Sequence, residues 1–173
     1  GLVVAIPIMW YGVRGLTVEA ARPDMPGELY LNSPLVVQWM MQRIHPNWNF
    51  NTEWIRVSQV NAQFMAGWVG MLITGLNMMP ISQLDGGHTI YALFGKDAHT
   101  IARSFIIFCI LFIVIYLDQA IVWAPMLILV ILIGVHHPPT ADDSVEIGPI
   151  RRTIGYASLV IPVICFPLLG FKT

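Results

Sequence analysis

Asn77, Pro80, Asp85, Gly86, Gly87 and His88 fall within NMMPISQLDGGH, a short polar stretch that follows the apolar run FMAGWVGMLITGL. A carboxamide, a carboxylate and an imidazole in so small a space can bind a metal, relay a proton or orient a polar substrate. Asp85 is the residue most in need of a reason. An aspartate in the middle of a membrane helix costs about 2.5–3.5 kcal/mol on insertion scales, so water, a cation or a metal must offset it. Three readings of Asp85 follow from its neighbours: a cap for a helix Gly86–Phe94, a carboxylate on a proton or ion pathway, or a metal ligand. His88 follows Asp85 by three positions, which puts both on one helical face, as a second ligand or as a surface histidine.

Helices must hold these groups in place. On a helix starting at Ala62, the small residues Ala66, Gly70 and Thr74 recur every fourth position, a spacing that lets membrane helices pack closely. Asn77 continues that stripe and is expected to face a close helical neighbour. Pro80 removes a backbone donor and ends or bends the helix. Irregular backbone at membrane depth is tolerated where it is buried in protein or lines a wet cavity. Gly86 and Gly87 mark a place where another backbone or a ligand can come near.

The rest of the chain supplies the apolar setting. Of its 173 residues 56% are apolar and 11% are charged, with a net charge of −1; soluble domains carry roughly a quarter charged residues. The mean hydropathy of +0.68 points to lipid as the main solvent. Neither the charge nor any basic cluster suggests a nucleic-acid partner. Cys109 and Cys165 lie in apolar runs and read as free, buried thiols.

The expected fold class is all-α, a multi-pass transmembrane helical bundle with a polar, interfacial insertion. Residues 1–13, opening GLVVAIPIMWYGV without a methionine or a basic flank, read as the second half of a transmembrane helix, and the chain as a fragment. Residues 14–60 form a polar loop with four Arg and four acidic residues. Within it an interfacial helix lying on the bilayer is expected, with Ser33 able to cap it, Pro34 at its first position, and Leu35, Val36, Trp39, Met40 and Ile44 sharing one face. Residues 61–173 form the membrane helical region, with apolar segments at about 61–79, 101–117, 120–135 and 154–171. Some are short against the roughly 20 residues a spanning helix needs. Pro125, Pro162 and Pro167 are expected to kink their helices. Asp118-Gln119 reads as a tight turn at the membrane surface, and Asp142-Asp143 as a solvated loop. His136-His137, adjacent and followed by two prolines, reads as a membrane-end loop. Lys96 and Arg103 precede one helix and Arg151-Arg152 the last, which puts both loops on the cytoplasmic side.

NMMPISQLDGG matches the N-x-x-P-x-x-x-L-D-G-G pattern of site-2 proteases, the intramembrane zinc metalloproteases, at all six specified positions. HTIYALFG and HHPPTADDSVEIGPIRRTIGY also resemble bacterial and plastid-type members, so the resemblance runs from about Ala62 to Tyr156. It implies that Asp85 is the third protein ligand to a catalytic zinc and that Asn77 positions substrate or stabilises the oxyanion. A catalytic zinc with three protein ligands keeps an open position for water. The departure is equally specific. The family's H-E-x-x-H helix, which brings two histidine ligands and a glutamate base, has no counterpart here. His45, His88, His99, His136 and His137 do not supply that spacing. The expected function is therefore the C-terminal portion of a metalloendopeptidase that cleaves membrane-protein substrates, with zinc, the lipid bilayer and such a substrate as partners. The expected location is a bacterial inner membrane or a plastid membrane. The chain alone is expected neither to hold catalytic zinc nor to cleave. An ion- or proton-coupled transporter subunit, with Asp85 as its site, and a pseudoprotease that only binds membrane segments are the alternatives.

Overall fold

The computed structural model describes residues 1–16, 27–46, 52–81, 83–133 and 147–172. In chain order its elements are α1 (Leu2–Arg14), β1 (Tyr30–Asn32), α2 (Leu35–Ile44), β2 (Trp54–Arg56), α3 (Ala62–Asn77), α4 (Asp85–Phe94), α5 (Ala98–Ile115), α6 (Leu117–Ala120), α7 (Ala124–Ile133), α8 (Pro149–Ser158), α9 (Ile161–Cys165) and β3 (Phe171–Lys172). The protein is mostly helical.

Helices α1 and α3 pack backbone to backbone because glycines occupy the crossing. A Cβ on Gly67 would lie 2.7 Å from the Met9 Cα, and one on Gly12 would collide with the Phe64 amide. The pair is antiparallel, with Gly12 at Phe64, Met9 at Gly67, Ala5 at Gly70 and Gly1 beside Thr74. Contact this close gains dispersion energy along the whole crossing. Asn61 fastens the start of the pair: its Oδ1 accepts the Phe64 N–H at 2.8 Å, and its Nδ2 donates to the Gly12 carbonyl at 2.9 Å. The small-residue stripe was expected through Ala66, but Ala66 is exposed and Gly67 takes its place in the contact.

The buried core around this pair contains Met9, Val13, Phe64, Trp68 and Met71, closed by Val37, Met40 and Met41 of α2. Of the face expected to be shared, Met40 is buried and Val36 and Ile44 are packed against the core. Leu35 and Trp39 are exposed, because α2 packs against both α1 and α9 and their positions decide which side is covered. Ser33 does not cap α2; Pro34 holds the N-cap position and no side chain caps the helix.

No strand was expected, yet a small antiparallel sheet of order β2-β1-β3 forms. Leu31 stands opposite both Ile55 and Phe171, so the sheet ties the 14–60 insertion to the end of the described chain. The Trp68 indole N–H donates to the Asn32 carbonyl at 2.9 Å, joining the sheet to α3. The Lys172 ammonium lies 4.6 Å from the Trp54 ring centroid and 5.4 Å from that of Tyr30.

Among the described residues one helix is long and apolar enough to cross a membrane, running Asp85–Ile115 through α4 and α5. Gly95, at φ 57°, takes the bend between the two. Leu2–Arg14 and Leu117–Leu132 are apolar but shorter. Asp118 lies in the short helix α6, whose following residues continue into α7. Regular α-helix is interrupted just before Pro125, at Ile121–Trp123, and just before Pro162, between α8 and α9. Pro125 is the second residue of α7 and Pro162 the second of α9, first-turn positions where the missing N–H has no intrahelical partner to lose. The expected segment 154–171 is accordingly divided between α8, α9 and β3.

Candidate functional site

Helix α3 ends at Asn77, and the turn that follows is held by backbone bonds. Met78 donates to the Thr74 carbonyl and Met79 to that of Leu76, both at 3.1 Å. Pro80 cannot donate, so the helix cannot continue. The chain then closes two small turns, with Ile81 donating to Met79 at 2.7 Å and Leu84 to Ile81 at 3.0 Å. Met79 and Ile81 on either side of Pro80 are buried against Ile106, Leu127 and Phe166. Ser82 lies outside the described residues.

Gly86 completes the construction. It packs on the carbonyl oxygens of Met78 and Met79 so closely that any Cβ would collide with them. The start of α4 is thereby returned to the end of α3. Asn77 precedes Met78 and Asp85 precedes Gly86, so the two candidate residues are carried to the same end of adjoining segments. Both are exposed. The expectation that Asn77 faces a helical neighbour is not met within the described chain: Gly1 reaches only Thr74, and Asn77 lies beyond it.

Asp85 opens α4 in its first turn, where the free backbone N–H groups favour a carboxylate. It does not cap the helix, as one reading held. Leu84 occupies the N-cap position, and no side chain makes a capping bond. Thr89 donates its hydroxyl to the Asp85 carbonyl at 2.9 Å, leaving the carboxylate out of that contact. His88, one turn along α4 from Asp85, is also exposed.

The remaining candidates are dispersed. His45 Nε2 lies 2.9 Å from the Val13 carbonyl oxygen, and the His99 ring meets Tyr91 edge-on at 6.1 Å. His136, His137, Asp142 and Asp143 lie outside the described residues. Among the described residues no three His, Cys, Asp or Glu side chains are grouped to hold a metal. A catalytic zinc needs three protein ligands. The described donors do not fit a zinc site by themselves, although Asp85 is an exposed carboxylate free to join one completed elsewhere. Cys109 and Cys165 are free thiols, the first half-buried and the second buried. The anchoring by Met79 and Ile81 was not read from the sequence, though apolar residues flanking a proline in a polar motif are a visible cue.

Known proteins point the same way in part. Over 105 residues, 58% of this chain and 18% of the relative, the chain is 29% identical to "Probable zinc metalloprotease EGY1, chloroplastic" of Arabidopsis thaliana. The chain is similar to a plant zinc metalloprotease. The protein of the same name in Oryza sativa subsp. japonica is 50% identical over 34 residues, 20% of this chain and 6% of the relative. A "DDT domain-containing protein PTM" of Arabidopsis thaliana is 47% identical over 34 residues, covering 20% of this chain and 2% of that protein. The chain thus spans less than a fifth of the length of each of these relatives. No family model and no solved structure matches it.

Proposed function

We propose that this chain is part of an intramembrane zinc metalloendopeptidase of the site-2 type, hydrolysing peptide bonds in membrane-protein substrates. The observation that carries the reading is the Gly86 contact, which returns the residue after Asp85 to the carbonyls that follow Asn77, with both side chains exposed. Similarity to a plant zinc metalloprotease supports it.

In this reading Asp85 provides one zinc ligand, and the two histidine ligands and the glutamate base are supplied from outside these 173 residues. A zinc bound there would lower the pKa of its water toward 7 and polarise the scissile carbonyl. Asn77 presents its carboxamide to the substrate carbonyl, and Gly86 fixes the backbone from which Asp85 projects. Residues 1–13 and 61–173 form the membrane part of a multi-pass bundle, and residues 14–60 lie at its surface. Exposed apolar side chains on α5 and α7, among them Phe108, Leu111, Ile128 and Leu132, support lipid contact. A plastid membrane fits the chloroplastic relatives better than a bacterial inner membrane does.

The test is cleavage of a transmembrane substrate reconstituted with the full-length protein. Chelator-sensitive cleavage, abolished by Asp85→Ala and lowered about 100-fold by Asn77→Ala, is expected. A folded full-length protein that binds the substrate without cutting it would replace this reading with the pseudoprotease.

A further inference from the structure

The sheet and the start of α2 are tied to the far end of the apolar helix Asp85–Ile115. Helix α5 stops at Ile115, and Tyr116 after it is exposed. Leu35 of α2 lines one cavity together with Phe112 and Tyr116. The Gly170 N–H donates to the Gln119 carbonyl at 3.0 Å, and the Gly170 carbonyl accepts from the Asn32 N–H at 3.2 Å. Strands β1 and β3 and the first turn of α2 therefore lie at the depth of the Tyr116–Gln119 turn. In a bilayer spanned by α5, that is where hydrocarbon gives way to head groups.

Outward-facing groups at this depth come as cations laid on aromatic rings. On α2, Leu35, Trp39 and Arg43 follow at intervals of four and share one side of the helix. Leu35 is 49% and Trp39 51% exposed, and the Arg43 guanidinium lies 5.7 Å from the Trp39 ring centroid. The stripe thus runs from apolar, beside the end of α5, through aromatic to charged. That is the order of solvents met on leaving a membrane. On the sheet, Tyr30 stands opposite Arg56 and Lys172, on the face away from the buried Leu31 and Ile55. Glu28 engages Arg56 at 3.6 Å, whereas the Lys172 ammonium lies between the Trp54 and Tyr30 rings. A ring face attracts a cation without using up its N–H donors, so Arg43 and Lys172 can still bond an anion. Tryptophan at the boundary with a long basic side chain reaching past it is how membrane proteins meet lipid phosphates. Glu53 and Asp118 are exposed at the same end, so any preference for anions is local to the two stacked cations.

We propose that this surface binds the head groups of anionic phospholipids, with Trp39 and Trp54 at the hydrocarbon boundary and Arg43 and Lys172 on the phosphates. Binding rests on the membrane part of the reading above and not on hydrolysis, so its test does not use cleavage.

The full-length protein is placed in nanodiscs of equal parts phosphatidylcholine and phosphatidylglycerol. Bromine is carried near the head-group end of the acyl chains, on one lipid at a time. The readout is tryptophan quenching, taken as the difference between the native protein and Trp39→Phe or Trp54→Phe. At Trp39 a preference of about fivefold for phosphatidylglycerol is expected, the gain from one arginine near an anionic surface. Arg43→Gln removes that preference and leaves quenching by phosphatidylcholine in place. Lys172→Gln does the same at Trp54; if it disturbs the sheet, high salt on the native protein gives the same loss. Equal quenching by the two lipids in the native protein would overturn the head-group assignment. Trp10 of α1, 36% exposed and resolved through Trp10→Phe, is the control for membrane contact. Quenching at Trp10 with none at Trp39 or Trp54 would mean that the surface faces water or a protein, and would overturn this site alone. No quenching at any of the three would overturn the membrane reading with it.

Discussion

Glycine brings backbones together both at the α1–α3 crossing and at the start of α4, to opposite effect. At the α1–α3 crossing, Gly12 and Gly67 admit a partner helix, and the side chains around them are buried and apolar. At the start of α4, Gly86 admits the Met78 and Met79 carbonyls, and the neighbouring polar side chains are left exposed. In the second region the backbone is positioned by Gly86 and by the buried Met79 and Ile81, so Asp85 and Asn77 contribute little to holding the fold. The first region is scaffold. The second releases a carboxylate and a carboxamide from structural duty, which is what a reactive site requires.

Substitutions should separate the two. Gly67→Leu inserts a side chain where Met9 already lies, and is expected to lower stability by about 3 kcal/mol, or to prevent folding, in denaturant unfolding of the protein in detergent. Gly86→Ala forces a Cβ onto the Met78 and Met79 carbonyls, and is expected to cost about 2 kcal/mol and to lower activity together with stability. Asn61→Ala loses both the α3 cap and the tie to Gly12, and is expected to cost about 1–2 kcal/mol with activity retained at temperatures where the protein stays folded. Asp85→Asn is the counterpart. Its effect on stability is expected to be about 0.5 kcal/mol, the loss of a favourable charge at the α4 N-terminus, while cleavage disappears. A destabilisation from Asp85→Asn as large as that from Asn61→Ala would erase the contrast.

Much of this was visible in the sequence, and the failures have physical causes. Pro80 and the Gly86-Gly87 pair announced a helix end and a close backbone approach, and both are present, although only the structure identifies the Met78 and Met79 carbonyls as the partner. Strands β1 and β2 were missed because three residues are too few to show alternation, and β3 pairs with β1 from the other end of the chain. The apolar face of α2 was legible, but not how α1 and α9 divide it: Met40, Val36 and Ile44 pack on the core, while Leu35 and Trp39, equally apolar, are exposed. The segment 154–171 looked continuous because Pro162 can sit inside a membrane helix or begin a new one, and here it begins α9. One reading put Asp85 at the start of a helix near the surface, and it is exposed there, but inside the first turn of α4 rather than at the cap.

The most direct measurement is the zinc content of the full-length protein purified in detergent, native and Asp85→Ala, with folding checked by circular dichroism. About one zinc per chain in the native protein, lost on the substitution without loss of helical structure, is the predicted result. Zinc absent from the folded native protein, or retained undiminished by Asp85→Ala, would contradict the assignment of Asp85 as a metal ligand.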